Sequence, residues 1–428
     1  MEAVELGLRE ALFKDGRKLL EDLLNQPGLQ VPNDSSRPGE KIHPHRHKDI
    51  RTLFGVIPLQ RHYYYDPQTQ SGRCPMDQAL GLVESFSPAV VRLSARAAAK
   101  EGYESASQDL LAQAALSIEG RQIQRLVNAV APEVARQLEQ GGEISSEAIP
   151  VFYVEVDGTG VPMVARELEG RAGKQQDGSS QTREVKLGAA FTQTKTDEEG
   201  LPMRDPDSTT YVGSFENAAD FGIRLRREAL RRGLGLALRV VFIGDGAAWI
   251  WELARVNFPM ALLILDLYHA LERLHQLCEG LYGAQTPWAL RMEQTWTAML
   301  KNDQVGEVIA AARRRLSQWA QPDQSLEKQI AYFEHHQDKM RYKTYRAQGL
   351  FYGSGVVEGG CKSVIGQRLK ESGMFWTITG AASVLNLRTA LKSNRWDECW
   401  DRLHNSNRLK IRLAAGIIIG TLKIALSR

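Results

Sequence analysis

The chain has 428 residues, of which 43% are hydrophobic and 25% charged, and its net charge is only +3. These values are typical of a folded globular protein of two or three domains and exclude a disordered or polycationic chain. The four cysteines lie far apart and form no CxxC pair, which excludes a disulfide framework and a zinc ribbon. The longest apolar run near the C-terminus, Leu413 to Leu422, is shorter than the roughly 20 residues that span a membrane. The N-terminus shows no secretory signal, so we expect a cytoplasmic protein without a membrane partner.

The N-terminal region, residues 1–77, predicts a helix, a loop and a hairpin. Apolar residues recur at helical spacing as far as Asn25, whereas residues 26–49 are rich in loop-forming residues and contain the segment HPHRH. From Arg51 to Asp66 the sequence RTLFGVIPLQRHYYYD predicts two short strands around a bend that contains a glycine.

Residues 78–147 predict a helical region. The segment YESASQDLLAQAALSIEGRQIQRLVNAV has the pattern of two helices joined by a turn, with Ser117 as the cap of the second helix. That helix offers Arg121, Gln122 and Arg125 to solvent. The pattern is similar to a helix-turn-helix, whose second helix contacts DNA in the major groove. A two-helix corner that only packs against a core has the same pattern, so both interpretations stay open.

The hydrophobic period changes from helical to strand-like at Ile149, and residues 148–272 predict five strands and two helices. The predicted strands are PVFYVEVD, VKLGAAFTQT, TTYVGSF, LRVVFIGDG and MALLILD. One helix precedes the fourth strand and another precedes the fifth. Continuous apolar runs are typical of strands that are covered on both faces. We therefore predict an α/β fold with a mixed five-stranded sheet and helices on both faces.

The remaining chain predicts a helical region, a glycine-rich turn and a basic tail. Residues 273–348 are helical throughout, and residues 349–396 begin with a glycine-rich segment that leads into a helix carrying Glu358. Residues 397–428 form the basic tail. Its segment IRLAAGIIIGTLKIAL predicts either an amphipathic helix that joins a partner subunit or a sequence that continues beyond the usual end of such chains.

Acidic residues stand at the ends of predicted strands. If their strands are neighbours, Asp157 and Asp245 lie side by side, and the late helix can bring Glu358 to them. Carboxylates about 4 Å apart repel by roughly 4 kcal/mol per pair at an effective dielectric of 20, which is large against a total stability of about 5–15 kcal/mol. Such a cluster takes up protons or binds cations, and oxygen ligands suit Mg²⁺ or Mn²⁺.

A purely structural role is the alternative for each aspartate. Aspartate commonly caps turns and helices, and both Asp157 and Asp245 precede a glycine, as in an ordinary turn. Two Asp-Gly strand ends combined with the glycine-flanked Glu358 favour phosphoryl transfer with two metal ions.

Four segments resemble the DDE transposases of bacterial insertion sequences, in particular the ISKra group, which is related to the Mutator-type transposases. They are VEVDGTGVPM, FIGDGAAWIW, LDLYHALERL and GSGVVEGGCKSVIGQRLKESGMFW. The resemblance implies an RNase H-like fold with a helical insertion, in which Asp157, Asp245 and Glu358 are catalytic and hold two Mg²⁺ or Mn²⁺ ions. It also implies a homo-oligomeric, nucleoid-associated enzyme that binds terminal inverted repeats, cuts DNA 3′ ends and joins them to target DNA.

The segment DLYH matches an accessory motif of these transposases. The match implies accessory roles for Asp266 and His269, although Asp266 is a rival of Asp245 as the second metal ligand, and His269 can equally be a packing residue at a helix start.

The hairpin departs from the family pattern, in which a cysteine pair follows the tyrosines. Asp66 and Thr69 occupy the matching positions. The nearby histidines, His43, His45 and His47, are more typical of a solvated loop than of a metal site, so we predict no zinc.

Two basic faces are candidates for DNA contact. One lies around Arg224–Arg232, and the other carries Lys362, Arg368 and Lys370. Solvated helix faces are the alternative interpretation. Trp376 either stacks on a base or fills the core, and we favour the core.

Two other functions are compatible with these features. The first is a descendant of a transposase that binds DNA but has lost catalysis, which the altered cysteine positions and the tail favour and the intact acidic residues oppose. The second is an RNase H-like nuclease that acts on DNA junctions or RNA–DNA hybrids with the same carboxylates.

Overall fold

The computed structural model describes residues 1–26, 36–140, 147–168, 182–319 and 323–403, and the structural statements below concern these residues. The chain divides into two compact units. One unit combines Met1–Gln137 with residues 396–403, and the other is Leu138–Arg395. The finer division predicted from the sequence stays a prediction. The basic tail from residue 404 lies outside the described residues, so the two interpretations of it stay open.

The N-terminal unit combines a small antiparallel sheet with helices. The sheet has the order β1-β2-β3, and buried aliphatic side chains such as Ile50, Ile57 and Leu59 form a core on one of its faces. The elements are α1 (Glu2–Leu24), β1 (Lys41–Thr52), β2 (Gly55–Asp66), β3 (Ser71–Arg73), α2 (Pro75–Ala79), α3 (Pro88–Lys100), α4 (Tyr103–Ala114) and α5 (Gly120–Gln140).

Two predictions for this unit were wrong in detail. Residues 41–49 are not a loop, because the segment HPHRH pairs with β2 as part of β1. Its side chains are exposed, so the strand lacks the apolar alternation that would have revealed it. Ser117 does not cap the second helix of the predicted corner, since α5 begins at Gly120. The backbone carbonyl of Glu119 instead accepts from the backbone N–H groups of Gln122 and Ile123.

The second unit is built on the predicted five-stranded sheet. Its strands are β4 (Ile149–Pro162), β5 (Thr182–Gln193), β8 (Thr210–Ser214), β9 (Ala237–Gly244) and β10 (Leu262–Leu265), and β6 (Lys195–Thr196) and β7 (Pro202–Met203) form a separate short pair. The order is β10-β9-β4-β5-β8. β4 pairs antiparallel with β5 and parallel with β9, which in turn pairs parallel with β10. This is the mixed sheet of the RNase H-like fold, and the predicted fold class is confirmed.

Helices cover both faces of this sheet because successive strand residues point to opposite sides. Phe152 and Phe242 pack against α6 (Ala218–Arg231) and α7 (Ala248–Asn257) on one face. Tyr153 and Val241 belong to the core of the other face, which includes the inserted helices. These are α8 (Leu267–Tyr282), α9 (Pro287–Lys301), α10 (Val305–Leu316), α11 (Gln324–His336) and α12 (Tyr342–Ala347).

The last segment of the unit returns to the sheet. It contains α13 (Gly355–Gly360), a π-helical turn (Cys361–Gly366), α14 (Gln367–Leu369) and α15 (Ile378–Lys392). A Cβ atom on Gly360 would lie 2.6 Å from the Tyr211 ring of β8, so a glycine is needed where this helix crosses the sheet. In the described part of the chain, no helix has both the length and the apolar character to cross a membrane.

Candidate active site

Asp157 and Asp245 lie side by side on neighbouring parallel strands. Val156 of β4 is in register with Gly244 of β9. Asp157 is the next residue of β4, and Asp245 is the first residue after β9. The hypothesis that the two strands are neighbours is therefore correct. In one detail the prediction was wrong, because β4 does not end at Asp157. It continues in its antiparallel pairing with β5 to Pro162, and only the pairing with β9 stops at Val156.

Asp266 follows β10, the strand beside β9, at the position level with Asp245. Leu265 of β10 is also in register with Gly244, and the backbone N–H of Asp266 donates to the Gly244 carbonyl at 2.9 Å. The strand order therefore places Asp245 between Asp157 and Asp266.

The Asp266 carboxylate is fully buried and is used as a structural anchor. Its Oδ1 accepts from the backbone N–H of His269 at 2.7 Å and lies 3.0 Å from the His269 Nδ1, so Asp266 caps α8. Its Oδ2 accepts from the backbone N–H of Ser354 at 2.6 Å and lies 3.0 Å from the Ser354 hydroxyl. A carboxylate offers about four lone-pair directions, so these contacts occupy Asp266 and tie α8 to the segment that leads into α13.

Glu358 reaches the aspartates because two buried groups hold α13 in place. The Ser354 hydroxyl lies 2.8 Å from Glu358 Oε1, so its single proton serves either Glu358 or Asp266. Behind them, the backbone N–H of Val357 donates to Glu155 Oε2 at 2.8 Å. Glu155 lies on the same face of β4 as Asp157, two residues earlier. The sheet itself therefore fixes the helix that presents Glu358.

The electrostatics show that these charges form one cluster. Burial raises the pKa of the Asp157 carboxyl, and the negative charge of Asp245 adds to the rise. The hydrogen bond to Asp266, together with the charges of Asp266, Asp245 and Glu358, raises the pKa of His269 to about 9. A protonated His269 is thus a cation among the carboxylates.

Burial also acts on two groups behind the cluster. It raises the pKa of Glu155 to about 8, and nearby Asp266 and Glu358 contribute to this rise. At Asp266 itself, burial alone would raise the pKa, but the hydrogen bonds from His269 and Ser354 outweigh it and the pKa is lowered. Asp266 is therefore the ionised anchor of the cluster.

The donor atoms suit a hard cation. Three side chains each offer one ligand atom, and these atoms lie within 4.8 Å of one another: Asp266, His269 and Glu358. This group does not include Asp157 or Asp245.

Hydrogen-bond donors occupy both oxygens of Asp266, and they also occupy both oxygens of Asp157, where the backbone N–H of Gly158 donates to Oδ1 at 2.6 Å and the Cys361 thiol donates to Oδ2 at 3.3 Å. For Asp245, the described contacts use Oδ1, which accepts from the backbone N–H of Ala247 at 2.8 Å. Carboxylate oxygens are the ligands that Mg²⁺ and Mn²⁺ prefer.

The predicted DNA contacts near this site divide into exposed and buried residues. Lys362 and Lys370 are exposed, and the Lys370 ammonium donates to the hydroxyl of Thr159 on the extension of β4. Arg368 is fully buried, with its guanidinium 5.0 Å from the centroid of the Trp376 ring. Its prediction as a DNA contact is therefore wrong for this conformation. Trp376 is a core residue, as we expected.

The arginine face of α6 is largely neutralised by acids of the same unit. Arg224 pairs with Glu139 and Glu216, and Arg231 pairs with Glu228 at 2.8 Å. An arginine that is already bound to a carboxylate is a weaker candidate for phosphate contact than an unpaired one.

In the N-terminal unit, the three predicted base-reading residues lie on α5. Arg121 is exposed, and Arg125 lies 3.4 Å from Glu84 in a largely exposed ion pair. The Gln122 side chain accepts from the backbone N–H of Glu119 at 3.2 Å, which satisfies a free donor at the start of the helix. The same unit places His43, His45 and His47 on β1.

Sequence reasoning missed three residues that hold the site together: Glu155, Ser354 and Cys361. The Cys361 thiol donates to Asp157 Oδ2 at 3.3 Å, and burial raises the thiol pKa well above its usual range. Two signals were present in the sequence. Glu155 shares the strand face of Asp157, and Ser354 precedes Glu358 by one helical turn.

Comparisons with known proteins complete this description. A chain from the Drosophila P element transposase strand transfer complex is similar to this chain at 10% sequence identity with a TM-score of 0.28, and the match covers 76% of this chain and 82% of that chain. No curated protein matches the sequence significantly. The model of the uncharacterised protein family UPF0236 matches residues 1–398, and the chain therefore belongs to that family.

Proposed function

We propose that this protein is a DDE transposase of an insertion sequence, which cuts DNA at 3′ ends and joins those ends to target DNA. The observation that carries the proposal is the register of β4 and β9, which sets Asp157 beside Asp245. Glu358 is held to the same cluster through Ser354. The assignment to the ISKra group, the kinship with Mutator-type transposases and the association with the bacterial nucleoid rest on the motif resemblance and are part of the proposal.

Two divalent ions, Mg²⁺ or Mn²⁺, fit the donor set of this site. Asp157, Asp245 and Glu358 would hold them, because these side chains bring negative charge together at the end of one sheet. When bound, such ions activate the attacking oxygen and stabilise the leaving oxygen of a phosphodiester. Burial is the largest cause of the raised pKa of Asp157 and the negative charge of Asp245 adds to it, so a bound cation would favour the ionised form of this carboxyl.

The other residues of the cluster would position these ligands. Asp266 fixes the start of α8 and the Ser354 segment, and a protonated His269 offers positive charge next to Glu358. Lys362 and Lys370 would contact DNA phosphates near the cut. In the N-terminal unit, Arg121, Gln122 and Arg125 of α5 would contact the inverted repeats. We expect a homo-oligomer, because two transposon ends have to be held together.

The test is DNA cleavage with and without metal. The substrate is a plasmid that carries the genomic DNA flanking this reading frame, and the product is a new 3′-hydroxyl end. We expect cleavage by the full-length protein in Mg²⁺ or Mn²⁺, none in EDTA, and a loss of at least about 100-fold in Asp157→Asn, as for removal of several kcal/mol of metal-based stabilisation. The control is Glu272→Gln, which removes an exposed charge on α8.

Two results would overturn the proposal. Metal-dependent cleavage that is intact in Asp157→Asn would show that the carboxylate cluster is not the active site. Specific binding to the flanking DNA without any cleavage in Mn²⁺ would instead indicate a DNA-binding descendant that has lost catalysis.

A further inference from the structure

One edge of β4 has a gap in its strand pairing beside the proposed active site. β9 pairs with this edge only as far as Val156, whereas β5 follows the opposite edge to Pro162. Beyond the gap, the backbone N–H of Trp376 donates to the Pro162 carbonyl at 3.1 Å, and Trp376 forms a single parallel bridge with Met163. Because β5 occupies the opposite edge, Trp376 lies on the β9 side. The stretch from Val156 to Pro162 is about 20 Å long at roughly 3.3 Å per residue, so a few nucleotides of one DNA strand fit the gap.

Two glycines supply the backbone groups that face this gap. The N–H and C=O groups of alternate strand residues point to opposite edges, so Gly158 and Gly160 share the direction of the Pro162 carbonyl. The N–H of Gly158 donates to Asp157 Oδ1 at 2.6 Å. In the described part of the chain, the N–H of Gly160 has no acceptor on this edge. We call the stretch from Gly158 to Gly160 the free edge. An unpaired strand edge can bind the hydrogen-bonding groups of another molecule.

The free edge can be reached from one face of the sheet. Both glycines are half-buried, and their missing side chains would point to the face opposite to the carboxylates. A Cβ atom on Gly160 would lie 2.5 Å from Thr182 Oγ1, and one on Gly158 would lie 2.6 Å from Glu184 Oε1. Glu184 is paired with Lys186 at 2.9 Å, so its charge is balanced. Side chains of β5 therefore cover the far face, and a ligand approaches from the face that carries the carboxylates.

A lysine lies on that face next to the free edge. The Lys370 ammonium donates to the hydroxyl of Thr159, the residue between the two glycines. Thr159 shares a face of β4 with Asp157, because the two residues are two positions apart. Burial raises the pKa of the Cys361 thiol, and the positive charge of Lys370 opposes this rise. The same thiol donates to Asp157, so the ammonium lies close to the carboxylate cluster. The free edge thus combines a backbone donor with a held cation.

We propose that the free edge, with Lys370 and Thr159, binds one phosphate of the DNA strand, next to the phosphate that is cut. This inference rests on the proposed function, because that function brings a DNA strand to Asp157. Strand residues two positions apart are separated by about 6.6 Å, which is close to the distance between successive phosphates along one DNA strand. Backbone N–H groups and lysines are common donors to DNA phosphates and read no base. The site would therefore fix the position of the strand without selecting its sequence.

The test replaces the phosphates of a DNA probe one at a time. The probes are short duplexes from the DNA that flanks this reading frame, and each carries one uncharged methylphosphonate at a different position. Binding to the full-length protein is measured by fluorescence anisotropy in Ca²⁺, an ion that carboxylates bind but that supports little phosphodiester cleavage. A methylphosphonate weakens binding wherever the protein contacts a phosphate, so the scan gives the pattern of phosphate contacts for each variant.

Gly160→Pro is the diagnostic variant, because proline lacks the N–H on the free edge and leaves the bonds to β5 in place. Gly160→Ala is the matched control, since it adds a Cβ atom and keeps the N–H. Both are made together with Thr182→Gly, which removes the side chain that the new Cβ atom would meet. We expect the alanine protein to keep the wild-type pattern. The proline protein should bind unmodified DNA about tenfold more weakly, as for the loss of a hydrogen bond to a charged group, and should lose most of its sensitivity at one position.

Lys370→Ala tests the same site without a change in β4. Lys370 is exposed, so its replacement leaves the strand intact even where proline would disturb it. We expect this variant to lose sensitivity at the same position of the probe as Gly160→Pro. In the cleavage assay, the phosphate at that position should be the neighbour of the one that is cut.

The two proposals fail in different ways. If Gly160→Pro keeps the pattern of Gly160→Ala, or if Lys370→Ala keeps the wild-type pattern, the free edge does not bind a phosphate, whatever the cleavage assay shows. A shared position that lies away from the cut phosphate also overturns the inference. If both variants lose the same position while no metal-dependent cleavage is found, the phosphate site stands and the transposase proposal fails.

Discussion

Asp157 and Asp245 lie side by side at the ends of the pairing between two parallel strands, with the pair Val156 and Gly244 immediately before them. The two negative charges repel each other. The pKa of Asp157 is raised by its burial and by the negative charge of Asp245. The folded protein therefore carries electrostatic repulsion at a fixed place. A bound cation would relieve this repulsion, and so would removal of one charge.

The first prediction follows from this repulsion and concerns metal and stability. We expect Mg²⁺ or Mn²⁺ to raise the thermal unfolding temperature of the wild-type protein, because a ligand at about 100 times its Kd stabilises by about 2.7 kcal/mol. In EDTA, Asp245→Asn should unfold at the same temperature as the wild type or at a higher one. Adding metal should raise the unfolding temperature of Asp245→Asn only slightly. Differential scanning calorimetry measures both effects.

Glu272→Gln serves as the control for this prediction, since the residue is exposed on α8. Its response to metal should equal that of the wild type. An Asp245→Asn protein that is stabilised by Mg²⁺ as strongly as the wild type would show that Asp245 does not hold the ion.

The second prediction separates Asp266 from its neighbour on β9. Asp266→Asn should lower the free energy of unfolding by about 2–4 kcal/mol in the absence of metal, because charged hydrogen bonds inside the fold are lost. The asparagine amide offers one oxygen acceptor, and its NH₂ group would face a donor at either His269 or Ser354. Urea unfolding in EDTA measures the change.

The comparison with Asp245→Asn makes this result specific. Asp245→Asn should not be destabilised in EDTA, although it removes the same charge one strand away. If Asp266→Asn is as stable as the wild type and no longer responds to metal, then Asp266, and not Asp245, is the second ligand.

Much of the sheet could be predicted from hydrophobic runs because strands covered on both faces leave continuous apolar segments. The position of Asp157 within such a run was enough to suggest a catalytic role for it, which stays a proposal. Its register with Asp245 could not be predicted, since local sequence does not specify which parallel strands pair. The length of β4 was also missed, because its extension to Pro162 depends on pairing with β5.

Residues whose environment contradicts their chemistry were the hardest to predict. A charged Arg368 suggests an exposed residue, yet it is buried against Trp376. Glu155 is an acid within an apolar strand, and its contact to the backbone of Val357 joins residues that are far apart in the chain. The polar strand β1 has the composition of a loop. In each case a contact with a residue distant in the chain determines the local structure or the burial of the side chain.

The third prediction concerns the exposed lysines near the site. Lys362→Ala and Lys370→Ala should each weaken DNA binding at every sequence, because they would contact phosphates. Each lost contact should reduce the slope of log K against log salt by about 0.9. Titrations at several salt concentrations measure that slope.

Lys392→Ala, at an exposed lysine at the end of α15, is the control and should leave the slope unchanged. Arg368→Ala should behave differently from the lysine variants. It should lower the free energy of unfolding by about 2 kcal/mol or more, because its buried guanidinium stacks on Trp376. An effect of Arg368→Ala on the salt slope without loss of stability would restore it as a DNA contact.

The fourth prediction concerns pH and His336. Burial lowers the pKa of His336 to about 4, whereas an unfolded histidine titrates near 6.5. Between these values the unfolded chain binds a proton that the folded chain does not bind. Stability is therefore complete above about pH 6.5 and falls as the pH drops towards 4, by roughly 2 kcal/mol. Urea unfolding across this pH range should show that His336→Gln removes this part of the loss, because glutamine does not titrate.

The neighbouring residue provides the matched control. His335 is exposed on the same helix, so His335→Gln removes a histidine without removing a buried one. Its stability should fall with acid as steeply as that of the wild type. Equal acid sensitivity in the wild type and in His336→Gln would mean that the folded protein accepts a proton at His336 near pH 6.5. The protonated Nδ1 would then need a hydrogen-bond acceptor, which the described residues do not supply in this structure.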